Sequence, residues 1–471
     1  MTPPSTAAAD PLDRGVDRAH ERILPRVYLI AVLAGFSGLL YGYDSGAISG
    51  ALPPMIAQFG ISDATVGLIT SMLLFGALPA IVVASLAALR FDRRHLLIAA
   101  GVIFIVGSVG CWLAGSAMAV AGWRLFLGLG VGIANMFGLI YLSELSPTRV
   151  RGLLSGLYQL AVNCGILAAY IVGDALQASG AWELILGLGA VPAVVFLVGM
   201  IIAPPSPRWL LTRGRDEQAF AVLSSLRGTD QIARTEVEEI RATLAADSGG
   251  LSELVTTARR PVVLLLGLTF FQVFTGINAV VYYAPIIFGN MPGLGDRAGM
   301  YANYGVGIAL VASTAIALPL IDRLGRVRML AISMALQTVA MAALWLFPSA
   351  GWLTVGLVFL YTFAFGFGMG PVFWLLVPEL LPLRLRAVGM GVITFAQYLM
   401  NAIFAAFVPS AMATFGASSV FLVFGILSLA ALVYVVKLIP ETTGHSLEAI
   451  EKYWRTGSFD TDALVDPAPA R

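Results

Sequence analysis

The chain has 471 residues, of which 58% are apolar and only 12% charged, with a formal net charge of +1 and a mean hydropathy of +0.87. Such usage lies well outside that of soluble globular domains. The near-neutral balance, with basic residues set beside apolar runs, argues against nucleic acid as a partner.

Residues 1–26 are charged, proline- and alanine-rich and without an apolar core, so they read as a disordered tail rather than a cleaved signal peptide. Six apolar runs follow, starting near Val27, Ala64, Leu96, Ala117, Leu153 and Ala181. Each is about 20 residues or longer, enough at about 1.5 Å per residue to cross a hydrocarbon core of roughly 30 Å. They form an expected six-helix bundle over 27–203. Residues 204–260 are a linker with two amphipathic stretches, Asp216 to Arg227 and Ile232 to Leu244, that read as short helices. Six further spans begin near Pro261, Met300, Val327, Trp352, Ala387 and Gly416, giving a second bundle over 261–439, and a tail over 440–471 holds a third short amphipathic stretch, Leu447 to Trp454. The fold class expected is an all-α membrane protein with twelve transmembrane helices. The alternating ten-residue pattern of a membrane barrel is absent.

Of the 28 arginines and lysines, 26 fall in the two tails, the linker and the loops after spans 2, 4, 8 and 10, all on one side; Arg297 lies opposite and Arg124 within span 4. The positive-inside rule then places both termini and the linker in the cytoplasm. The 26 arginines against two lysines, in an alanine- and glycine-rich chain, point to a bacterium of high genomic GC content and hence to its plasma (inner) membrane. Cys111 and Cys164, in spans 3 and 5, read as small buried apolar residues; a disulfide would require those helices to meet. His20, His95 and His445 lie in tails or at a helix end. No metal-ligand cluster, nucleotide-binding loop or Ser-His-Asp set is present, so no metal, cofactor or enzymatic activity is expected.

The chain contains an internal repeat. Glu144-Leu-Ser-Pro-Thr-Arg-Val-Arg-Gly152 returns 235 residues later as Glu379-Leu-Leu-Pro-Leu-Arg-Leu-Arg-Ala387, with five identities in nine. At nearly the same offset Arg90-Phe-Asp-Arg-Arg94 faces Arg323-Leu-Gly-Arg-Val327, Tyr41-Gly-Tyr-Asp44 faces Thr275-Gly-Ile-Asn278, and Pro205 maps onto Pro440. Six spans per copy imply a parallel repeat about the membrane normal, with a substrate path between the halves.

Five motifs carry a resemblance: Gly38-Leu-Leu-Tyr-Gly-Tyr-Asp44, Pro204-Pro-Ser-Pro-Arg-Trp-Leu210, Gln272 to Asn278 followed by Tyr282-Tyr283, Gly370-Pro-Val-Phe-Trp374, and Pro440-Glu-Thr-Thr-Gly444. Together they resemble the sugar porters of the major facilitator superfamily, over about Val27 to Trp454. The resemblance implies the major facilitator fold, two six-helix repeats with short cytoplasmic helices, in a monomer that exchanges only a monosaccharide and a proton with its surroundings. Departures from the pattern are Pro205 for a glutamate, Asp92 for a loop glycine and Leu89 for a polar residue.

Asp44 and Arg124 are the ionisable residues well inside predicted spans, where a charge costs several kcal/mol unless paired or hydrated. With the first span ending near Gly50, both lie about 9–10 Å below one face, so an ion pair is possible. The alternatives are a fixed structural bridge and a proton switch that releases spans 1 and 4 when Asp44 is protonated; the resemblance, with aspartate in symporters and often asparagine in facilitators, favours the switch.

Sugar binding calls for amides and hydroxyls with an aromatic platform. The resemblance assigns it to Gln159, Gln272, Asn278, Trp374, Gln397 and Asn401; as buried side chains, the amides among them could instead hold helices together. Val273 and Leu310 replace polar residues of many hexose carriers. The repeated Glu-x6-Arg motifs suggest a cytoplasmic gate of Glu144 and Arg151 with Arg93, and Glu379 and Arg386 with Arg326, formed when the inside is closed. The expected function is proton-coupled import of a hexose or pentose. A facilitative uniporter, a symporter of a polyol such as inositol, or a sugar sensor are the alternatives.

Overall fold

The computed structural model describes residues 24–147, 151–177, 179–245, 251–288, 298–348, 351–445, 450 and 453–454, with backbone alone at 151–155, 177, 243, 245, 288, 298, 383 and 387. Among the described residues, twelve spans are long and apolar enough to cross a membrane. The first half comprises α1 (Pro25–Phe59), α2 (Asp63–Ala87), α3 (Arg93–Trp112), α4 (Ala117–Leu145), α5 (Arg151–Gln177), and α6 (Trp182–Gly187) with α7 (Ala190–Ile202). The linker holds α8 (Pro207–Thr212), α9 (Asp216–Arg227), α10 (Asp230–Ala245) and α11 (Leu251–Thr257). The second half comprises α12 (Arg259–Phe274), α13 (Ile277–Phe288), α14 (Ala298–Ala317), the short α15 (Ile321–Leu324), α16 (Arg326–Leu346), α17 (Trp352–Phe367), α18 (Met369–Leu380), α19 (Arg386–Phe415) and α20 (Ala417–Leu438).

The helix ends follow local chemistry. Pro25 opens α1, where its missing N–H is no loss, and Gly60 closes it in the left-handed conformation (φ 60°), its N–H bonded to the Ile56 carbonyl. The hydroxyls of Ser62 and Ser116 accept the N–H groups of Thr65 and Ala119, capping α2 and α4.

Three expectations need correction. The first span does not end near Gly50: α1 continues through Pro53 and Pro54 to Phe59, because two adjacent prolines remove only two backbone bonds while the flanking residues stay buried. Spans 6, 7 and 10 are each divided into two helices, as the glycines at their breaks permit. Cys164 is exposed, not buried, and both cysteines are free. Of the third amphipathic stretch only Ile450, Tyr453 and Trp454 lie within the described residues, Trp454 donating to the Leu380 carbonyl at 3.0 Å. Residues 1–23 of the tail, and Arg297, lie outside them.

Glycines let the helices of the first half approach almost backbone to backbone. A Cβ on Gly42 of α1 would stand 1.9 Å from the Val162 carbonyl oxygen of α5, and one on Gly128 of α4 would stand 2.1 Å from the Leu73 carbonyl oxygen of α2. In lipid, where apolar burial gives helices little mutual attraction, such contact supplies the dispersion that holds them. The second contact sets α2 beside α4, and Gly138 of α4, where a Cβ would stand 2.2 Å from the Ser37 hydroxyl, sets α1 beside it, the frame for the charged pair.

The two halves bond to each other at mid-span and toward the end opposite the described termini. Asn163 of α5 donates to the Leu310 carbonyl and the Thr314 hydroxyl at 3.1 and 2.8 Å. Farther out, Ser49 donates to Asn303 at 3.2 Å, the Tyr170 hydroxyl to the Val281 carbonyl at 2.9 Å, and the Tyr304 hydroxyl to Asp174 at 2.9 Å.

Candidate functional site: a buried ion pair beside two broken helices

Arg124 and Asp44 form a bidentate pair, with Nη1 to Oδ1 and Nη2 to Oδ2 both at 3.2 Å. Their side chains are 1% and 7% exposed. Nε of Arg124 donates to the Ile69 carbonyl of α2 at 2.9 Å, so one guanidinium ties together α1, α2 and α4. Two parallel charge-assisted bonds are the geometry that offsets desolvation of both ions, and loss of either partner would leave a buried charge uncompensated.

The second half places its polar residues at breaks. Gln272 lies two residues before the end of α12, and Asn278 is the second residue of α13; between them Gly276 takes φ 105°, a conformation glycine adopts without steric cost. The freed Thr275 carbonyl accepts the Tyr361 hydroxyl at 2.9 Å. Trp374 lies six residues beyond Gly368, which divides α17 from α18. Non-helical backbone at membrane depth is tolerated where protein or a water-filled path surrounds it.

The structure joins some of the nominated sugar ligands. Asn278 Nδ2 donates to Asn401 Oδ1 at 2.9 Å, and Asn401 Nδ2 to the Tyr282 hydroxyl at 3.5 Å. Gln159 Nε2 approaches Asn163 Oδ1 at 3.5 Å. Gln272 and Gln397 are buried, and Gln272 Oε1 makes no hydrogen bond to any described residue. Trp374 is half-buried and meets Phe373 edge-on at 5.1 Å.

Sequence reasoning missed a second polar group that crosses between the halves. The Tyr158 hydroxyl donates to Asn135 Oδ1 at 2.5 Å, Asn135 Nδ2 donates to the Tyr398 hydroxyl, and the Tyr398 ring lies 6.3 Å from that of Tyr41. Asn135 and Asn163, amides inside apolar spans, were the signal available.

At the end bearing the termini, each half contains one ion pair of the repeated motif. Arg93 Nε lies 3.4 Å from Glu144 Oε1, and Arg326 Nη2 lies 3.0 Å from Glu379 Oε1. The Ser206 hydroxyl donates to Glu144 Oε2 at 2.5 Å, and the Thr442 hydroxyl to Glu379 Oε2 at 2.6 Å. Ser206 therefore matches Thr442, and the repeat register read through Pro205 and Pro440 shifts by one residue, to Pro204 and Pro440. Arg386 is half-buried; the side chain of Arg151 lies outside the described residues.

A carboxylate stands at the joint beside each pair. Asp92, fully buried, accepts the Ser206 N–H at 3.2 and 3.4 Å; burial raises its carboxyl above the usual range against the pull of those bonds. Burial also opposes the charge on Glu441. There the Thr443 hydroxyl and the N–H groups of Arg326, Thr443 and Val327 outweigh it and hold the carboxyl below its usual range.

Twelve spans in two like halves, broken helices at mid-span and a buried ion pair define a secondary transporter of the major facilitator fold. Family comparison agrees: the model described as "Sugar (and other) transporter" matches residues 30–454, and the chain belongs to that family. It is 32% identical to the arabinose-proton symporter of Bacillus subtilis over 453 residues, covering 93% of this chain and 97% of that one. It is 35% identical to the glucose transporter GlcP of Staphylococcus epidermidis over 435 residues, covering 90% and 96%. The xylose transporter XylE of Escherichia coli, in a partially occluded inward-open conformation, superposes with a TM-score of 0.79 at 26% identity, covering 89% of this chain and 99% of that one.

Proposed function

We propose that this chain imports a monosaccharide by proton symport in a bacterial plasma membrane, as a monomer with both termini in the cytoplasm. The observation that carries the reading is the bidentate Asp44–Arg124 pair, buried in the spans and bonded to three helices. Protonation of Asp44 removes the charge–charge attraction between α1 and α4 and allows them to move relative to each other. Relatives named as an arabinose-proton symporter and a glucose transporter support a monosaccharide as cargo. The amides Gln159, Gln272, Asn278, Gln397 and Asn401 offer paired donors and acceptors for its hydroxyls, and Trp374 an apolar face for its ring. Arg93 with Glu144 and Arg326 with Glu379 act as the cytoplasmic gate, together with Arg151 and Arg386. Uptake of labelled pentoses, hexoses and polyols into proteoliposomes, with and without an imposed pH gradient, is the test. Accumulation only with the gradient is the result expected; uptake that equilibrates without responding to it would leave a uniporter.

A further inference from the structure

The two ion pairs are built alike, but their supporting carboxylates come from opposite sides of the joint. In the second half Gly325 precedes α16 at φ 90°, and Glu441, on the segment after the last span, reaches over to accept the N–H groups of Arg326 and Val327 at 2.9 and 3.0 Å. A Cβ on Gly325 would stand 2.8 Å from Glu441 Oε2. In the first half the position of Gly325 is held by Asp92 and that of Glu441 by Pro205, with Ser206 and Thr442 in register. Asp92 sits at the N-cap of α3 with extended backbone (φ −66°, ψ 146°) and accepts the Ser206 N–H. Thus the segment after the last span supplies the carboxylate in one half and the helix cap supplies it in the other, with one carboxylate at each joint.

The reason for one is physical. Without a carboxylate, the N–H groups of the helix or of the facing segment lose their acceptor, in a region where Asp92 is fully buried. With two, like charges would share a site already filled by one. We infer that Asp92 is the positioning residue of the first-half gate: it has taken over the role of Glu441, fixing the segment before α8 so that Ser206 aims its hydroxyl at Glu144 and holds that acid beside Arg93. This rests on the gate proposed above, and gives Asp92 and Pro205 a joint purpose, a carboxylate transposed across the joint.

The test is reciprocal rescue, read without sugar. Leu318, whose Cδ2 lies 2.2 Å from the place of a Cβ on Gly156 across the two halves, is replaced by Cys in a Cys111→Ser, Cys164→Ser background. The maleimide labelling rate of purified protein then reports opening at the end bearing the termini. Asp92→Gly should speed labelling severalfold, and so should Pro205→Glu, which puts two acids at one joint. The double variant, Asp92→Gly with Pro205→Glu, should return to the parent rate. Asp92→Asn, which keeps an acceptor oxygen, should stay near the parent, and Pro205→Glu decides the matter should Asp92→Gly not fold. Parent-like labelling of both single variants, or a double variant as fast as the faster single, would overturn the inference. Proteoliposomes of the unsubstituted protein that accumulate no sugar under a proton gradient would sink the symport reading and leave the labelling result untouched.

Discussion

The first and fourth spans of the first half, α1 and α4, run unbroken for 35 and 29 residues. Their counterparts in the second half divide at Thr275–Gly276 and at Gly368. The repeat that sets Asp44 in the first half sets Asn278 in the second. Continuous helices satisfy their own backbone, so a charge on them needs a partner from another helix, and Arg124 supplies it. Broken helices instead add free backbone groups to small amides, and Asn278 finds Asn401 rather than an ion. The repeated scaffold thereby carries its buried ion pair on unbroken helices, while Asn278 sits at a break. On the proposed function, that difference lets Asp44 hold the proton while the sugar meets amides at and around the breaks, two tasks kept apart in one membrane layer.

The largest expected effect comes from removing the charge of the first half. Asp44→Asn mimics the protonated acid permanently, so accumulation of labelled sugar against its gradient should vanish while exchange of labelled for unlabelled sugar survives, since exchange requires no net proton movement. Counterflow and gradient-driven uptake in the same proteoliposomes separate the two. A variant that still concentrates sugar under an imposed proton gradient would make the pair merely structural, and the contrast between the halves would lose its meaning.

Next in size are two of the proposed binding residues, one from each half. Trp374→Ala and Gln159→Ala should each weaken sugar binding by about tenfold, on the order of 1.4 kcal/mol, measured by titration of purified protein with its thermal unfolding unchanged. If only the second-half variant loses affinity, binding is confined to the broken helices and the separation of tasks is sharper than drawn. Unchanged affinity in both would remove these residues from the site. A packing variant belongs at the same scale: Gly42→Ala drives a methyl group into the Val162 carbonyl, 1.9 Å away, and should lower thermal stability by about 1–3 kcal/mol. A melting temperature equal to that of the parent would show that α1 and α5 can part without loss.

Much of this architecture is legible in the amino-acid sequence, because hydropathy, arginine placement and a repeated nonapeptide each report on it separately. The charged pair was legible too, although the depth argument used a wrong end for α1: Leu52-Pro53-Pro54 reads as a stop, and burial of its neighbours overrides it. The breaks were not legible. Gly276 and Gly368 lie among many glycines that pack helices closely without breaking them, such as Gly42 and Gly128, and only the three-dimensional neighbours distinguish the two uses. Nor was the Tyr158–Asn135–Tyr398 group, since whether a tyrosine hydroxyl meets an amide depends on the rotation of three helices from two halves. The transposed carboxylate was visible as two departures, at Asp92 and Pro205, but their connection appears only when Ser206 and Thr442 are seen to match.

The smallest expected effect compares the two gates. Arg326 and Glu379 are 3.0 Å apart with side chains 12% and 18% exposed, and Arg326 also meets Asp322 at 3.0 Å and Thr443 at 3.2 Å. Arg93 and Glu144 are 3.4 Å apart, with side chains 19% and 8% exposed. Pairs near a protein surface contribute about 0.2–1 kcal/mol, which corresponds to at most about a fivefold change in the balance of open and closed states. Glutamine keeps an oxygen for the neighbouring hydroxyl, so Glu379→Gln and Glu144→Gln test the ionic part alone. Both should raise cysteine accessibility from the side of the termini. The shift should be larger for Glu379→Gln, because the shorter pair is also held in place from the arginine side by Asp322 and Thr443, so less order is lost in forming it. In the first half the Ser206 hydroxyl, at 2.5 Å from Glu144, keeps much of the geometry when the charge is gone. Equal shifts would mean that both gates depend on their hydroxyl donors more than on their ion pairs, and no shift in either variant would reduce the repeated motif to ordinary charged loop ends.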